Sequence, residues 1–172
     1  KFISAKMINL ADPRIGSKII YKTDDFFAAA HRILKIEPPV FKDGLFDKHG
    51  KWMDGWETRR KRNKGHDYLI LKLGKPGKIH KVDIDTSYFN GNQPSKVSLD
   101  ACYSKNELPN KSLKWVNILK KKSAKPNSHH FFNIKNKSIF THVKLNIYPD
   151  GGVARIRIYG EMKINKKFGK RI

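Results

Sequence analysis

Thr141-His142-Val143-Lys144-Leu145-Asn146-Ile147-Tyr148-Pro149-Asp150-Gly151-Gly152-Val153-Ala154-Arg155-Ile156-Arg157-Ile158-Tyr159 is the stretch that decides the fold class. Val143, Leu145 and Ile147 alternate with His142, Lys144 and Asn146. That period of two belongs to a strand with one apolar face. Pro149-Asp150-Gly151-Gly152 interrupts it with turn-forming residues, and Val153–Tyr159 returns as a second strand. On the return, Arg155 and Arg157 share a face with Val153 and Tyr159. The stretch is expected to close as a hairpin.

The same grammar extends upstream. Tyr68–Leu73 is a strand that is apolar on both faces, and Gly74-Lys75-Pro76-Gly77 is expected to stop it. Ile79–Phe89 alternates, with Val82, Ile84 and Thr86 on one side and Asp83, Asp85 and Ser87 on the polar side. After the turn Asn90-Gly91-Asn92-Gln93-Pro94 come strands at Lys96–Tyr103, Leu113–Leu119 and His129–Ile134, with a basic loop over Lys120–Asn127. Seven or eight short strands without intervening helices make an all-β, antiparallel β-sandwich. The N-terminal part adds a frayed lead-in over residues 1–6, a turn at Asn9–Pro13 and a short strand at Gly16–Tyr21. A short helical segment follows over Phe26–Leu34, with Asp24 or Asp25 as its N-cap. Residues 1–161 read as one domain and 162–172 as a basic tail.

The chain has 172 residues, 38% of them hydrophobic, which suffices for one buried core. No apolar run approaches the length of a membrane span. Cys102 is the lone cysteine, so neither a disulfide framework nor a cysteine-rich zinc site is available, and a cytoplasmic setting is expected. The formal charge of +22 would suit a polyanion. Its excess is mostly lysine, spread along the chain and accompanied by many Asn and Ile, the residues that A/T-rich codons favour. Aromatics are not interleaved with the lysines on one strand face, so nucleic acid is disfavoured and a small anionic substrate fits better.

Residues 35–67 form a long connection, and long connections of this kind are functional or disordered. Phe41, Leu45, Phe46, Trp52 and Trp56 argue for order. Within it, Asp54, Glu57, Arg59, Arg60, His66 and Asp67 bring groups that bind or transfer protons. Elsewhere, Asp83 and Asp85 stand side by side at i, i+2, where they can share a proton or a cation. Asn146, Asp150 and Arg155 flank the Gly-Gly turn with an amide, a carboxylate and a guanidinium. His66-Asp67 resembles an acid/base dyad, although neighbours on a strand point to opposite faces. No His-Glu-x-x-His or Cys-x-x-Cys spacing, Gly-x-Ser-x-Gly elbow or phosphate loop is present, so no metal and no cofactor is expected.

Four strings then carry a family resemblance. They are Thr23-Asp24-Asp25-Phe26-Phe27-Ala28, Gly50-Lys51-Trp52-Met53-Asp54-Gly55-Trp56-Glu57-Thr58-Arg59-Arg60, Asp83-Ile84-Asp85-Thr86-Ser87-Tyr88-Phe89-Asn90-Gly91-Asn92, and Leu145-Asn146-Ile147-Tyr148-Pro149-Asp150-Gly151-Gly152-Val153-Ala154-Arg155. In order and spacing they resemble the allantoicase repeat over about residues 8–160. The resemblance implies a galactose-binding-like jelly roll and the hydrolysis of allantoate to ureidoglycolate and urea, a step of purine breakdown. Such enzymes usually carry two repeats, and this sequence holds one, so a homo-oligomer or pairing with a second repeat is expected. Arg14-Ile15-Gly16-Ser17 departs from the Gly-Gly pair usual at that point.

Allantoate is an anion with two ureido groups. Arg59, Arg60 and Arg155 are candidates for its carboxylate, because a guanidinium fork matches that geometry. Asn90, Asn92 and Asn146 suit the ureido groups, which both donate and accept. Trp56 and Thr86 complete the substrate-binding set. Glu57 or Asp54, with one of Asp85, Asp150 and His66, would supply the acid and the base. The alternatives are a non-catalytic galactose-binding-like module for glycans or other small ligands, or a hydrolase of a related ureido or guanidino acid.

Overall fold

A computed structural model of the protein describes residues 7–109 and 113–163. Its strands in chain order are β1 (Ile8–Asn9), β2 (Lys18–Lys22), β3 (Phe46–Asp47), β4 (Gly50–Lys51), β5 (Trp56–Glu57), β6 (Asp67–Asp85), β7 (Lys96–Cys102), β8 (Val116–Ser123), β9 (His129–Asn133), β10 (Ile139–Tyr148), β11 (Gly152–Val153) and β12 (Arg155–Met162). All pairings are antiparallel.

The apolar run at 68–73 and the alternating run at 79–85 are one strand of 19 residues. Gly74-Lys75-Pro76-Gly77, read above as a stop, lies inside it. The first part of β6 pairs with β2 and β10, while the second pairs with β9 and β12. The first layer continues through β7 and β8, and the second through β1. A single strand thus passes from one layer of the sandwich to the other. The glycines serve close approach rather than a turn: a Cβ on Gly77 would sit 2.4 Å from the Glu161 carbonyl oxygen. The side facing the core also changes along β6, from Leu69, Leu71, Leu73 and Ile79 to Val82 and Ile84. The switch falls where Tyr159 pairs with Lys81 but Gly160 pairs with Ile79, leaving His80 as an extra residue. Such a bulge inverts the inward side of a strand.

The expected hairpin of 141–159 does not form as such. β10 and β12 pair with different parts of β6 and not with each other. The residues between them hold β11, which pairs with β5, so the Gly-Gly turn links the two layers and clasps the long connection. That connection carries three short strands rather than none. Lys120–Ser123, expected in a loop, extends β8. The N-terminal helical segment shrinks to a 3₁₀ turn at Ala30–Leu34 with Ala29 at its N-cap, and Asp25, one of the two expected caps, accepts from the Ala30 N–H at 3.0 Å. The preceding residues are held extended: Phe27 and Ala28 donate to the Glu57 carbonyl, and Glu57 N–H donates to that of Ala28. β12 runs to Met162, and residues 164–172 of the tail, like the lead-in at 1–6, lie outside the described residues.

The core gathers Leu69, Leu71, Val82, Ile84, Val97, Leu99, Val143, Leu145, Ile147, Ile156 and Ile158, with Leu10, Ile33 and Trp56 closing it. Asp83 and Asp85 point away from it, yet both are buried, at 4% and 2% exposure. Their face is covered by the connection: Arg157, opposite Asp83 on β12, donates to the carbonyls of Lys35, Ile36 and Glu37. Among the described residues, no helix is long and apolar enough to cross a membrane.

A methyl group at residue 77 has no space between β6 and β12. Gly77→Ala is expected to lower stability by about 2 kcal/mol, the usual scale of overpacking. A urea titration should show an earlier midpoint with an unchanged slope.

Candidate active site

Five groups of polar side chains hold the residues singled out above. The first is a structural clamp. Arg155, 1% exposed, bonds through all three guanidinium nitrogens within the protein. Its Nη2 lies 2.7 Å from Asp54 Oδ2. Asp54 also accepts from Lys35 Nζ at 2.9 Å and from Val40 N–H at 3.1 Å. Burial pushes the Asp54 carboxyl up, but the bonds from Arg155, Lys35 and Val40 outweigh it and hold it below its ordinary value. The carboxylate and the guanidinium expected to meet substrate are thus spent on each other. They tie the long connection to β12.

The second group surrounds Arg59. Its Nε and Nη2 reach Asp24 Oδ1 at 3.0 and 2.8 Å, its backbone N–H reaches Oδ2 at 2.7 Å, and its guanidinium lies 4.9 Å from the Phe26 ring centre. Arg60 lines a neighbouring cavity of about 360 Å³ with Thr23, Asp24, Arg59, Arg62 and Asp67. Asp150 closes this loop by accepting from Lys61 N–H at 2.7 Å. The third group lies on the outer face of the first layer. There His66 Nε2 is 3.0 Å from Asn146 Oδ1, and the Asn146 amide donates to Ser98 Oγ and Asp100 Oδ2. The fourth is buried under the connection. Asp85 accepts from the Ser87 N–H and hydroxyl, Asp83 contacts His129 Nδ1 at 2.7 Å, and the Thr86 hydroxyl donates to the Lys125 carbonyl. Burial pushes the Asp83 carboxyl up, while its hydrogen bond to His129 pushes that imidazole up.

The fifth group holds Glu57 and Asn92. β5 packs Trp56 into the core at 0% exposure, where its indole N–H donates to the Asp24 carbonyl at 2.8 Å. The next side chain, Glu57, must then point the other way. Its Oε2 accepts from Asn92 Nδ2 at 3.1 Å. Burial pushes the Glu57 carboxyl above its ordinary value, and this one bond offsets only part of the shift. Asn92 is fixed in turn, because its carbonyl accepts from Gly152 N–H. Gly152 leaves no room for a side chain: a Cβ there would meet the Phe89 ring at 2.0 Å. Asn92 and Asn90 line a cavity of about 360 Å³ together with Phe41, Lys51, Met53 and Tyr88.

The structure therefore brings Asn90 and Asn92 to the cavity wall and joins Glu57 to that wall through its bond with Asn92, Glu57 itself standing behind the lining residues. It does not bring Asp54, Asp85, Arg155, Trp56 or Thr86 to the cavity wall, and it sets His66, Asn146, Asp150, Arg59 and Arg60 in other groups. Lys51, Tyr88, Phe41 and Met53 escaped the sequence reading. Lys51 and Met53 stood inside the most informative string, among residues that looked like scaffolding. Phe41 marked the connection as ordered and Tyr88 stood in a family string, but nothing local paired them, since their stacking at 5.8 Å joins segments far apart in sequence.

Two antiparallel layers joined through one long shared strand define a galactose-binding-like jelly roll. A family 32 carbohydrate-binding module from Clostridium perfringens, solved with galactose, has the same fold at TM-score 0.58 and 16% identity, covering 88% of this chain and 99% of its own. Closer likenesses name the family. The allantoicase repeat matches residues 8–163, and the chain belongs to that family. A probable allantoicase of Acinetobacter baumannii is 55% identical over 159 residues, which are 91% of this chain and 46% of that protein. The crystal structure of allantoicase from Saccharomyces cerevisiae superposes with a TM-score of 0.80 at 34% identity, covering 91% of this chain and 49% of that one. The chain thus spans about half the length of the curated relatives it matches.

Asp54→Asn leaves the Arg155 charge buried without its carboxylate. It is expected to destabilise the fold by about 3 kcal/mol at neutral pH. Because Asp54 is held below its ordinary value of 3.8, its contribution is present above that pH and is lost as pH falls through the lowered value. Unfolding midpoints of the two proteins should therefore converge only in strong acid.

Proposed function

We propose that this repeat hydrolyses allantoate to ureidoglycolate and urea, with Glu57 moving the protons. The observation that carries the reading is the carboxyl of Glu57, raised by burial and bonded to a residue of the cavity wall, in a chain of the allantoicase repeat family. In this mechanism the protonated Glu57 donates to the departing ureido nitrogen as its bond to the central carbon breaks. Water then forms its bond to that carbon and returns a proton to Glu57. The products are urea and a carbinol, and the carboxyl is restored. A raised carboxyl suits a group that must give a proton near neutral pH and take it back. Asn90 and Asn92 offer the paired donors and acceptors that a ureido group needs.

Asp54 and Arg155 act in this scheme as positioning residues for the segment that carries Glu57. We assign His66, Asp85, Asp150, Thr86, Arg59, Arg60 and Asn146 to the support of the surrounding loops and sheet face. Because the relatives are about twice as long, the working unit is read as two repeats, supplied by a second copy or a second module. The setting is taken as cytoplasmic, consistent with one buried, reduced cysteine, Cys102.

The purified chain should release urea from allantoate. Glu57→Gln should lower kcat at least 100-fold while KM changes little, and an equal loss in substrate binding would sink the role of Glu57. The same variant carries a second signature. Ionising the buried Glu57 costs the wild type stability above its unfolded pKa, near 4.5, and costs nothing below it. Glu57→Gln should therefore be at least as stable as the wild type at pH 7, with the gain vanishing by about pH 4. Stable binding of allantoate without urea release would favour a ligand-binding module.

A further inference from the structure

We infer that Lys51 is the residue that recognises the substrate's carboxylate, and so makes the cavity beside Glu57 selective for ureido acids over neutral ureides. This rests on the reading of the cavity as the allantoate site. Of the six residues that line it, only Lys51 carries a charge; the others are Phe41, Met53, Tyr88, Asn90 and Asn92.

Lys51 is free to bind an anion. Among the described residues it forms no ion pair and no side-chain hydrogen bond, and its ammonium sits 4.6 Å from the Phe41 ring centre. A ring face steadies a cation without neutralising it. The rival cations lie elsewhere: Arg59 is paired with Asp24 and Arg155 with Asp54, while Arg60 lines the neighbouring cavity.

The wall behind Lys51 is rigid. Phe41 stacks on Tyr88 with the planes 25° apart. Tyr88 holds a left-handed backbone, φ 69°, with its N–H donating to Asn127 Oδ1 at 2.8 Å. That conformation is rare for a bulky residue and is kept only where the surroundings impose it. Lys51 closes the hairpin of β3 and β4, and the next residue, Trp52, is gripped by Arg32 and Lys42 at 5.2 and 5.1 Å from its ring centre. A long side chain is thereby held at its base by the hairpin and at its head by the Phe41 ring. Lys51 and the two asparagines line the same cavity. An ionised acid bonded there by a charge-assisted contact would lose roughly 10- to 100-fold in affinity when that contact is removed.

The test uses the whole chain in the Glu57→Gln background, so that binding is measured without turnover. Calorimetry compares allantoate with its neutral carboxamide. Lys51→Met, which removes the charge and keeps an unbranched apolar side chain, should weaken allantoate binding roughly 10- to 100-fold while leaving the carboxamide within about twofold. Lys51→Arg should recover part of the loss, and Lys48→Met, on the same hairpin, should change neither ligand. Retained carboxamide binding also shows that the variant is folded. Equal loss of acid and amide overturns the assignment, as does a separation of the two produced by Arg60→Met instead. If the unmutated chain releases urea while Lys51→Met fails to separate the ligands, only the role of Lys51 falls. If the chain neither turns over allantoate nor binds either compound, the site reading falls with it.

Discussion

The backbone of Asp67–Asp85 is the constraint on which the molecule depends. It is hydrogen-bonded along both edges, first to β2 and β10 and then to β9 and β12. A strand so enclosed must satisfy its amides on both sides while passing from one layer to the other. Gly77 permits the approach of β12, and the bulge at His80 turns Val82 and Ile84 inward. The ends of this strand also locate the functional loops. Asp67 N–H meets the Pro149 carbonyl at one end, and the Asp85 carbonyl accepts from Ala154 at the other.

The long connection becomes a third layer because charge pins it. Arg155 and Arg157 project from the outer face of β12 and take up carbonyls of residues 32–37. The Asp54 carboxylate answers Arg155, and Trp56 plugs the core beside it. What remains on this connection is chemically different. Asp54 and Asp24 have guanidinium partners and stay readily ionised, whereas Glu57 has one amide and is held toward its acid form. Two carboxyl groups three residues apart are thus shifted in opposite directions by their surroundings.

The lysine-rich composition is absorbed partly by aromatic faces. Lys144 lies over Tyr68 and Trp115, Lys121 over Tyr148, Lys81 over Phe131 and Lys42 over Trp52. These contacts scatter the positive charge over several surfaces instead of concentrating it in a groove for a polyanion.

Much of this was legible from residue order. Alternation over 96–103 and 141–148 marked strands that form at Lys96–Cys102 and Ile139–Tyr148, because the period of two is a local consequence of having one buried face. Asp54, Trp56 and Glu57 stood out as an unusual string, and Glu57 and Asn92 were both singled out. The sequence by itself determined the all-β class, the family and the small set of loops from which a site could be built. Tertiary structure alone decided that 67–85 is one strand, that β10 and β12 belong to different layers, and that Arg155 serves Asp54 while Lys51 is left free. The physical reason is that partner choice among charges and strand edges depends on separations between residues tens of positions apart. Neither alternation nor composition encodes those separations.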